Sequence, residues 1–442
     1  MFVPLAYAPS TDPAPLPRSY AIGTPAPETG ALEGARDTGV AVIGAGICGV
    51  STALHLRELG HEVTVVEAGE IGQGGSGRAF GLVVPYAKRD HEEIARHFGE
   101  EAGSRIVDAV ASGPDLVFEL IARHEIDCEA SRNGWILGAH TQAALAGLAK
   151  LGAYWQNRGA PVECLDAGET ARLVGSHYYL GALLDRRAGS VNPHAYTRGL
   201  AAAALRAGAR IFTQSRARRL SREGARWRVF TPSGALRARQ VVIATDAYTD
   251  ELWPGLAQSL VPLRAYQLVS EPLSENLRAA ILPEGQPLTD TRRLYAGVRL
   301  RADGRLHMSV DGPAFSTAGR AKLAKAERRI ATLFPQIGAL RWDEEWSGWV
   351  GMTADHYPHL HRLASDLWAA IGFNGRGIAL ATLVGRDVAR RIAGFSEREL
   401  FLPVTELSPI RAHGALRPFV SALLDWYRLR DAMELRRLPA KS

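Results

Sequence analysis

The chain has 442 residues, more than a single hydrophobic core usually serves, so two domains are expected. Apolar residues make up 46% and charged residues 22%, ordinary for a globular protein, and no run reaches the ~18 consecutive apolar residues of a membrane span. The net charge of +6 comes from scattered arginines, with a concentration in the last thirty or so residues, and not from a basic stripe with interleaved aromatics, which sets nucleic acid aside as a partner.

In chain order, MFVPLAYAPSTDPAPLPRSYAIG lacks the basic segment and apolar stretch of a signal peptide. The cysteines, Cys48, Cys128 and Cys164, are few and far apart, so no disulfide framework or CxxC metal site is expected. A cytoplasmic protein follows as the simplest expectation. Residues 1–37 show neither helical nor strand period and are expected to form a Pro-rich arm, extended on the surface or partly disordered.

From Gly39 the pattern changes. VAVIG reads as a strand, ICGVSTALHLRELG as a helix and HEVTVVE as a second strand, which together make a βαβ unit. Gly44, Gly46 and Gly49 form G-x-G-x-x-G across the first turn, with Ile47 and Cys48 between the last two. The first glycine permits the turn, the second admits a pyrophosphate to the backbone, and the third lets helix and strand pack closely. Glu67, followed by Ala68, closes the second strand, where a carboxylate accepts hydrogen bonds from ribose hydroxyls and repels a 2′-phosphate. These features specify a dinucleotide, and FAD and NAD both remain open on this unit alone.

A glycine-rich loop follows between Gly69 and Gly81. Helical patterns span roughly Glu92–His124 and His140–Arg158. Asn192 and Pro193 suit the N-cap and first position of a helix that ends near Gly208, and ARIFTQ reads as a strand. RWRVFTPSGALRARQ reads as a hairpin leading into the buried strand QVVIATDAY. Longer alternating strands between Val261 and Trp346 indicate antiparallel sheet. SDLWAAIGF, the turn GFNGRG and a final helix complete the pattern.

The fold class expected is therefore α/β: a discontinuous Rossmann-like dinucleotide-binding domain (38–90, 187–258 and 347–410) with an inserted antiparallel-sheet α+β substrate domain (91–186 and 259–346). A basic C-terminal helix or tail (411–442) follows and leaves peripheral membrane contact open; no transmembrane segment is expected.

Several motifs in order resemble the D-amino-acid oxidase superfamily, and within it most nearly the γ-glutamylputrescine oxidoreductase-like branch. They are EIGQGGSGRAFGLVVP, RVFTPSGALRARQVVIATDAY, VPLRAYQLVSEPLSE, WSGWVGMTADHYPHL and GFNGRGIALATLVGRDVA. In the first loop Ser76, Gly77 and Arg78 match the family's G-x-S-G-R-N-G-G, while Ala79 and Phe80 replace its Asn-Gly. The resemblance implies FAD, with Gly44, Gly46, Gly49 and Glu67 on the ADP half and Ser76, Gly77, Arg78, Ala79, Gly81 and Leu82 along the ribityl chain and ring. It places the Ala217 backbone near adenine and Ala244 and Thr245 at the end of a nucleotide-side strand. It brings Gly375, Arg376, Gly377 and Ile378 to the pyrimidine edge of the flavin. The first glycine loop holds no histidine and the C-terminal third no cysteine, so the expected FAD is non-covalent.

The resemblance further implies an amine or amino-acid oxidase or dehydrogenase, in which a hydride leaves the carbon bearing nitrogen for flavin N5 and the imine hydrolyses. Oxygen or a quinone-linked carrier then takes the electrons. Tyr295 and Arg299 share one strand face and, with Asn374 in the late turn, are the candidate catalytic residues; the arginine suits a substrate carboxylate. Arg264 and Gln267 fall on opposite faces of their strand, so at most one points inward. His356, His359 and His361 have metal-like spacing, but Pro358 interrupts them and no cysteine or extra acid frames them, so no metal is expected. Two alternatives stay open: an FAD-fold protein with a non-catalytic assembly role, and an FAD enzyme that oxidises a hydroxy acid.

Overall fold

The computed structural model describes residues 16–20, 23–294, 296–311 and 319–415, and between 422 and 434 all but 425, 428 and 432. Two units divide the chain: Met1–Ala130, Val191–Leu263 and Gly348–His413 form one, and Ser131–Ser190, Arg264–Ser347 and Gly414–Ser442 the other. Residues 91–130, expected in the inserted domain, fall in the first unit, and the C-terminal segment falls in the second.

The first unit is built on a mostly parallel sheet. Its strands are β1 (Gly34–Ile43), β2 (Val63–Val66), β3 (Arg210–Phe212), β4 (Gly234–Ile243), β5 (His359–Ala364), β6 (Leu367–Ile371) and β7 (Val404–Thr405). They lie in the order β7-β5-β6-β4-β1-β2-β3, and the hairpin strands Arg219–Glu223 and Arg226–Phe230 continue from β4. β1 pairs in parallel with both β2 and β4, and β4 with β6, as a doubly wound sheet requires. Its central strands are buried apolar runs because helices cover the sheet: α1 (Ile47–Glu58), α2 (Pro193–Arg206) and α3 (Gly377–Ile392). α1 and α3 cross at Gly385, where a Cβ would lie 2.6 Å from Ser51 Cβ, and Ser51 Oγ donates to Thr382 O at 2.8 Å.

Local signals act as their chemistry dictates. Asn192 caps α2 by accepting from Ala195 N at 3.2 Å, with Pro193 in the first turn, and Gly208 leaves the helix at φ +92°. Thr141 caps the helix Gln142–Gln156 in the same way. The long helix expected from Glu92 to His124 is instead three, His91–Phe98, Glu100–Ala111 and Gly113–Arg123. Gly99, at φ +82°, ends the first, and Pro114 opens the third.

The arm also departs from expectation. Tyr20 and Leu32 are buried, Leu32 within the apolar core below β1 and β4, and Leu32 N donates to Ser215 Oγ at 2.8 Å. From residue 34 the chain already belongs to β1.

The second unit carries an eight-stranded, mainly antiparallel sheet in the order Trp342–Met352, Val261–Pro272, Arg305–Asp311, Gly297–Leu300, Leu288–Asp290, Trp135–Ala139, Gly181–Asp185, Val162–Leu165. Tyr266, Leu268, Val298, Leu306, Met308 and Val310 project from one face into an apolar core. The opposite face is polar and buried, as described below. Among the described residues no helix is long and apolar enough to cross a membrane.

Candidate functional site

At the end of β1 the chain turns at Gly44 with φ +107°, where a Cβ would sit 2.8 Å from Ala244 O. A Cβ on Gly49 would lie only 1.9 Å from Gly44 O, so α1 can pack on the turn only with glycine there. Gly46 is the N-cap of α1 and no side chain of its own caps the helix; the Ile47 N–H donates to Ser76 Oγ at 3.0 Å. Cys48 is a small buried residue of this turn, and burial, followed by the charge of Asp246, pushes its thiol up to about 12. That thiol is unreactive at neutral pH.

Glu67 lies at the end of β2 and returns to the turn. One carboxylate oxygen accepts from Ala45 N at 2.7 Å and the other from Gly69 N at 2.9 Å. Burial raises its pKa, while the amides of Ala45, Gly69 and Ala68 oppose the shift. A carboxylate has about four acceptor positions, so two backbone bonds leave room for hydroxyl donors. Ala217 packs its methyl into the core with Val66 and Trp227, which leaves its backbone as the part able to meet a ligand.

The glycine-rich loop folds back on this turn. Its Gly77 N donates to Gly72 O at 2.8 Å, and buried Arg78 sends Nε to Gln73 O at 2.9 Å. Gly74 and Gly75 lie against the Tyr248 ring, whose hydroxyl accepts from Trp349 N at 3.2 Å. The Gly81 carbonyl, ahead of Leu82, accepts from Val191 N at 2.8 Å.

A second glycine turn forms where β6 ends. Asn374 is buried at φ +52°; its Oδ1 accepts from Thr353 N at 3.0 Å and its amide donates to Gly372 O. Both ends of this amide brace the turn. Gly375, at φ +78°, meets nothing nearer than 3.7 Å at its Cβ position, and Arg376 then serves as the uncapped N-cap of α3, with Gly377 and buried Ile378 in its first turn. The two helices that start in these turns both have glycine at or next to the N-cap and no cap from the N-cap side chain, and at such an end backbone N–H groups and the helix dipole favour negative charge.

One residue missed in the sequence ties these turns together. Asp246 follows Ala244 and Thr245 at the end of β4 with φ +40°, and its carboxylate accepts from Gly372 N at 2.7 Å. Burial raises it to about 6, against the amides of Gly372, Ala247 and Phe373. An acid just beyond a buried parallel strand was the available signal.

A model of the family "FAD dependent oxidoreductase" (DAO) matches residues 39–391, and that span contains every turn described above. The chain belongs to the DAO family. It is 30% identical over 398 residues to the gamma-glutamylputrescine oxidoreductase of Escherichia coli (strain K12), covering 89% of this chain and 93% of that one. It is 29% identical to the probable oxidoreductase OrdL of Haemophilus influenzae, over 81% of this chain and 84% of the relative. Among solved structures, glycine oxidase from Geobacillus kaustophilus superposes with a TM-score of 0.68 at 24% identity, over 80% of this chain and 95% of that one. The expected Rossmann-like fold and FAD as cofactor are those of this family.

The residues present fit the DAO cofactor. FAD is an anionic dinucleotide with one ribose and one flavin ring to be held. The chain offers two helix N-termini without a cap from the N-cap side chain, a cradle at Gly44, Gly46 and Gly49 that any Cβ would fill, and a carboxylate at the end of β2 that could accept from ribose hydroxyls.

In the second unit, Arg299 is buried and its Nε–H donates to His307 Nδ1 at 3.2 Å. His307 Nε2–H then donates to Gln267 Oε1 at 3.0 Å, and Gln267 Nε2 to Ser309 Oγ at 3.0 Å. The directions are forced, because an arginine can only donate. Burial and the charges of Arg299 and Arg301 hold His307 well below its usual pKa, so the ring is neutral. Trp346 lies beside it, with ring centroids 5.3 Å apart. Of the two residues expected on opposite faces, Gln267 belongs to this buried row, and Arg264 bonds Ser347 Oγ at 3.0 Å. Tyr295 lies outside the described residues.

Of the three late histidines, His359 and His361 stack with ring centroids 5.0 Å apart, His359 pairing with Asp355 at 3.2 Å and His361 bonding Thr405 Oγ1 at 2.9 Å, while His356 stands in a turn at φ +66°. Among the described residues no group of three or more metal-ligating side chains forms.

Proposed function

We propose that this DAO-family enzyme oxidises an amine or amino acid, with non-covalently held FAD as its cofactor. When bound, FAD supplies the hydride acceptor for the carbon that bears nitrogen. The resulting imine hydrolyses in water, and oxygen or a quinone-linked acceptor restores the oxidised cofactor. The names of the relatives, a gamma-glutamylputrescine oxidoreductase and a glycine oxidase, support an amine-bearing substrate.

Each residue has a defined task. Glu67 holds ribose hydroxyls, the α1 N-terminus with Gly44, Gly46 and Ser76 receives the pyrophosphate, and the Ala217 backbone meets adenine. Ser76 to Leu82 lie along the ribityl chain and ring. Gly375, Arg376, Gly377 and Ile378, at the α3 N-terminus, stabilise negative charge at the pyrimidine edge. Asn374 keeps that turn in shape, and Asp246 fixes it to β4.

The observation that carries substrate recognition is the buried row Arg299–His307–Gln267–Ser309. A neutral histidine fixes the plane of the guanidinium, and a pre-oriented arginine suits a planar carboxylate. No general base is obligatory; the chain's task is to orient the substrate and favour its neutral amine.

The test is product analysis. Purified protein is incubated with secondary amines, D- and L-amino acids and γ-glutamyl-polyamines, and the carbonyl product and released ammonia or amine are measured together. Equal yields of both support the proposal. A carbonyl product formed only from hydroxy acids, with no nitrogen released, overturns it.

A further inference from the structure

Tyr20 is fully buried. It sits in a short 3-10 turn, Arg18–Tyr20, closed by its own N–H on Pro17 O at 3.1 Å. Its hydroxyl donates to Ala79 O at 2.8 Å, in the glycine-rich loop. Its carbonyl accepts from His194 Nδ1 at 3.3 Å and, at the limit of hydrogen bonding, from Asn192 Nδ2 at 3.5 Å. The chain is pinned again at Thr24, whose N–H donates to Asp127 O at 2.8 Å beside Gly23 at φ +97°.

The two residues that grip Tyr20 also touch the loop or hold its neighbours. Asn192 is the N-cap of α2 and its own N–H donates to Cys128 O at 2.6 Å. The His194 ring fills the space beside Gly72 and Gly77, with Cδ2 at 3.3 and 2.9 Å from where their Cβ atoms would be. Burial pushes His194 down to about 4, so it stays a neutral, well-packed ring at ordinary pH.

A loop this rich in glycine needs bonds from its surroundings beside its own, since each glycine loses more backbone freedom on ordering than any other residue. Hydrogen bonds from outside help to hold its central stretch, two of them at Ser76 and Ala79. At Ser76 it accepts the first amide of α1, and at Ala79 it accepts the Tyr20 hydroxyl. The first of these belongs to the dinucleotide turn. The second comes from a segment of sequence that lies before the matched family region begins at residue 39.

We propose that Tyr20 is a positioning residue that latches the Ser76–Gly81 loop and thereby slows release of FAD. This rests on the proposed placement of that loop along the cofactor. The arm is then part of the cofactor site, although none of its residues need touch the flavin.

The test measures FAD release from the holoenzyme by stopped-flow fluorescence, together with melting of the apoprotein, for the wild type, Tyr20→Phe and Gly77→Ala. Tyr20→Phe removes only the hydroxyl. It is expected to release FAD about fivefold faster, the effect of one buried hydrogen bond. Gly77→Ala places a Cβ 2.3 Å from Gly72 O and distorts the loop directly, so it should release FAD faster still. If Tyr20→Phe lowers the melting temperature but leaves release unchanged while Gly77→Ala accelerates it, the latch is wrong and the loop placement stands. If neither variant changes release, the loop placement fails and the latch with it.

Discussion

Arg299 and His307 stand directly opposite one another on paired antiparallel strands, and the guanidinium Nε–H donates to the unprotonated Nδ1 of a histidine that burial keeps neutral. The pair lies on the face of the sheet opposite its apolar core, joined through Gln267 to Ser309. A buried polar row of this kind is costly unless its members are satisfied, and the task proposed for it beyond packing is to hold a substrate carboxylate.

Arg299→Lys tests that task. Lysine keeps the charge but has no planar fork and no Nε–H to meet His307. The KM for a carboxylate-bearing amine should rise about tenfold, the effect of losing a charge-assisted hydrogen bond. The KM for a carboxylate-free analogue should change little. Steady-state kinetics on an amino acid and its amide decide this, and equal effects on the two would contradict a carboxylate role.

Glu67→Gln should weaken FAD binding. The amide presents an NH2 group to one of the donors, Ala45 N or Gly69 N, that the carboxylate now satisfies. The dissociation constant should rise by about tenfold or more, from the ~1–3 kcal/mol of an unsatisfied donor and the ribose bonds lost with it. Fluorescence titration of apoprotein with FAD provides the measurement; a change of under about twofold would remove Glu67 from the site.

Two glycine-to-alanine variants should behave oppositely. Gly49→Ala drives a methyl to 1.9 Å from Gly44 O, so the turn cannot close on α1; loss of FAD and lowered stability are expected. Gly147, inside the helix Gln142–Gln156, has nothing within 4 Å of its Cβ position. Gly147→Ala should stabilise the protein by roughly 0.5–1 kcal/mol through reduced freedom of the unfolded chain. Thermal melts of the two variants check both signs.

Asp246 gives a pH signature. Its native pKa is raised from 3.8 to about 6 by burial, so between those values the native carboxyl keeps a proton that the unfolded one releases. Its contribution to stability is therefore complete at low pH and lost as pH rises through about 6. Asp246→Asn is neutral throughout and keeps an acceptor for Gly372 N. The melting temperature of the variant relative to wild type should rise between pH 4 and 7, corresponding to about 1–3 kcal/mol. Asp387, also raised to about 6, titrates in both proteins and cancels in the comparison. Parallel curves would contradict the shift.

Much of the first unit was legible because its signals are local. Strand, glycine turn, helix and closing acid at Gly39–Glu67 specify one another within a few residues, as do Asn192–Pro193 at the start of α2 and the hairpin turn before β4. What was illegible depends on contacts distant in sequence. Tyr20 looked like part of a Pro-rich surface arm because its partners, Ala79, Asn192 and His194, are far along the chain. His307 became the partner of Arg299 only once strand register was known, and register is not contained in the alternation of either strand. Asp246 gains its role from Gly372, which reaches it through the pairing of β4 with β6.

The most direct test of the proposed function is anaerobic reduction of the bound flavin, followed by absorbance, with amines, amino acids and hydroxy acids presented separately. Bleaching of the oxidised flavin by an amine or amino acid, slowed when the carbon bearing nitrogen is deuterated, is the expected result. A flavin that stays oxidised with every amine and amino acid tested, yet is reduced by a hydroxy acid, would contradict it.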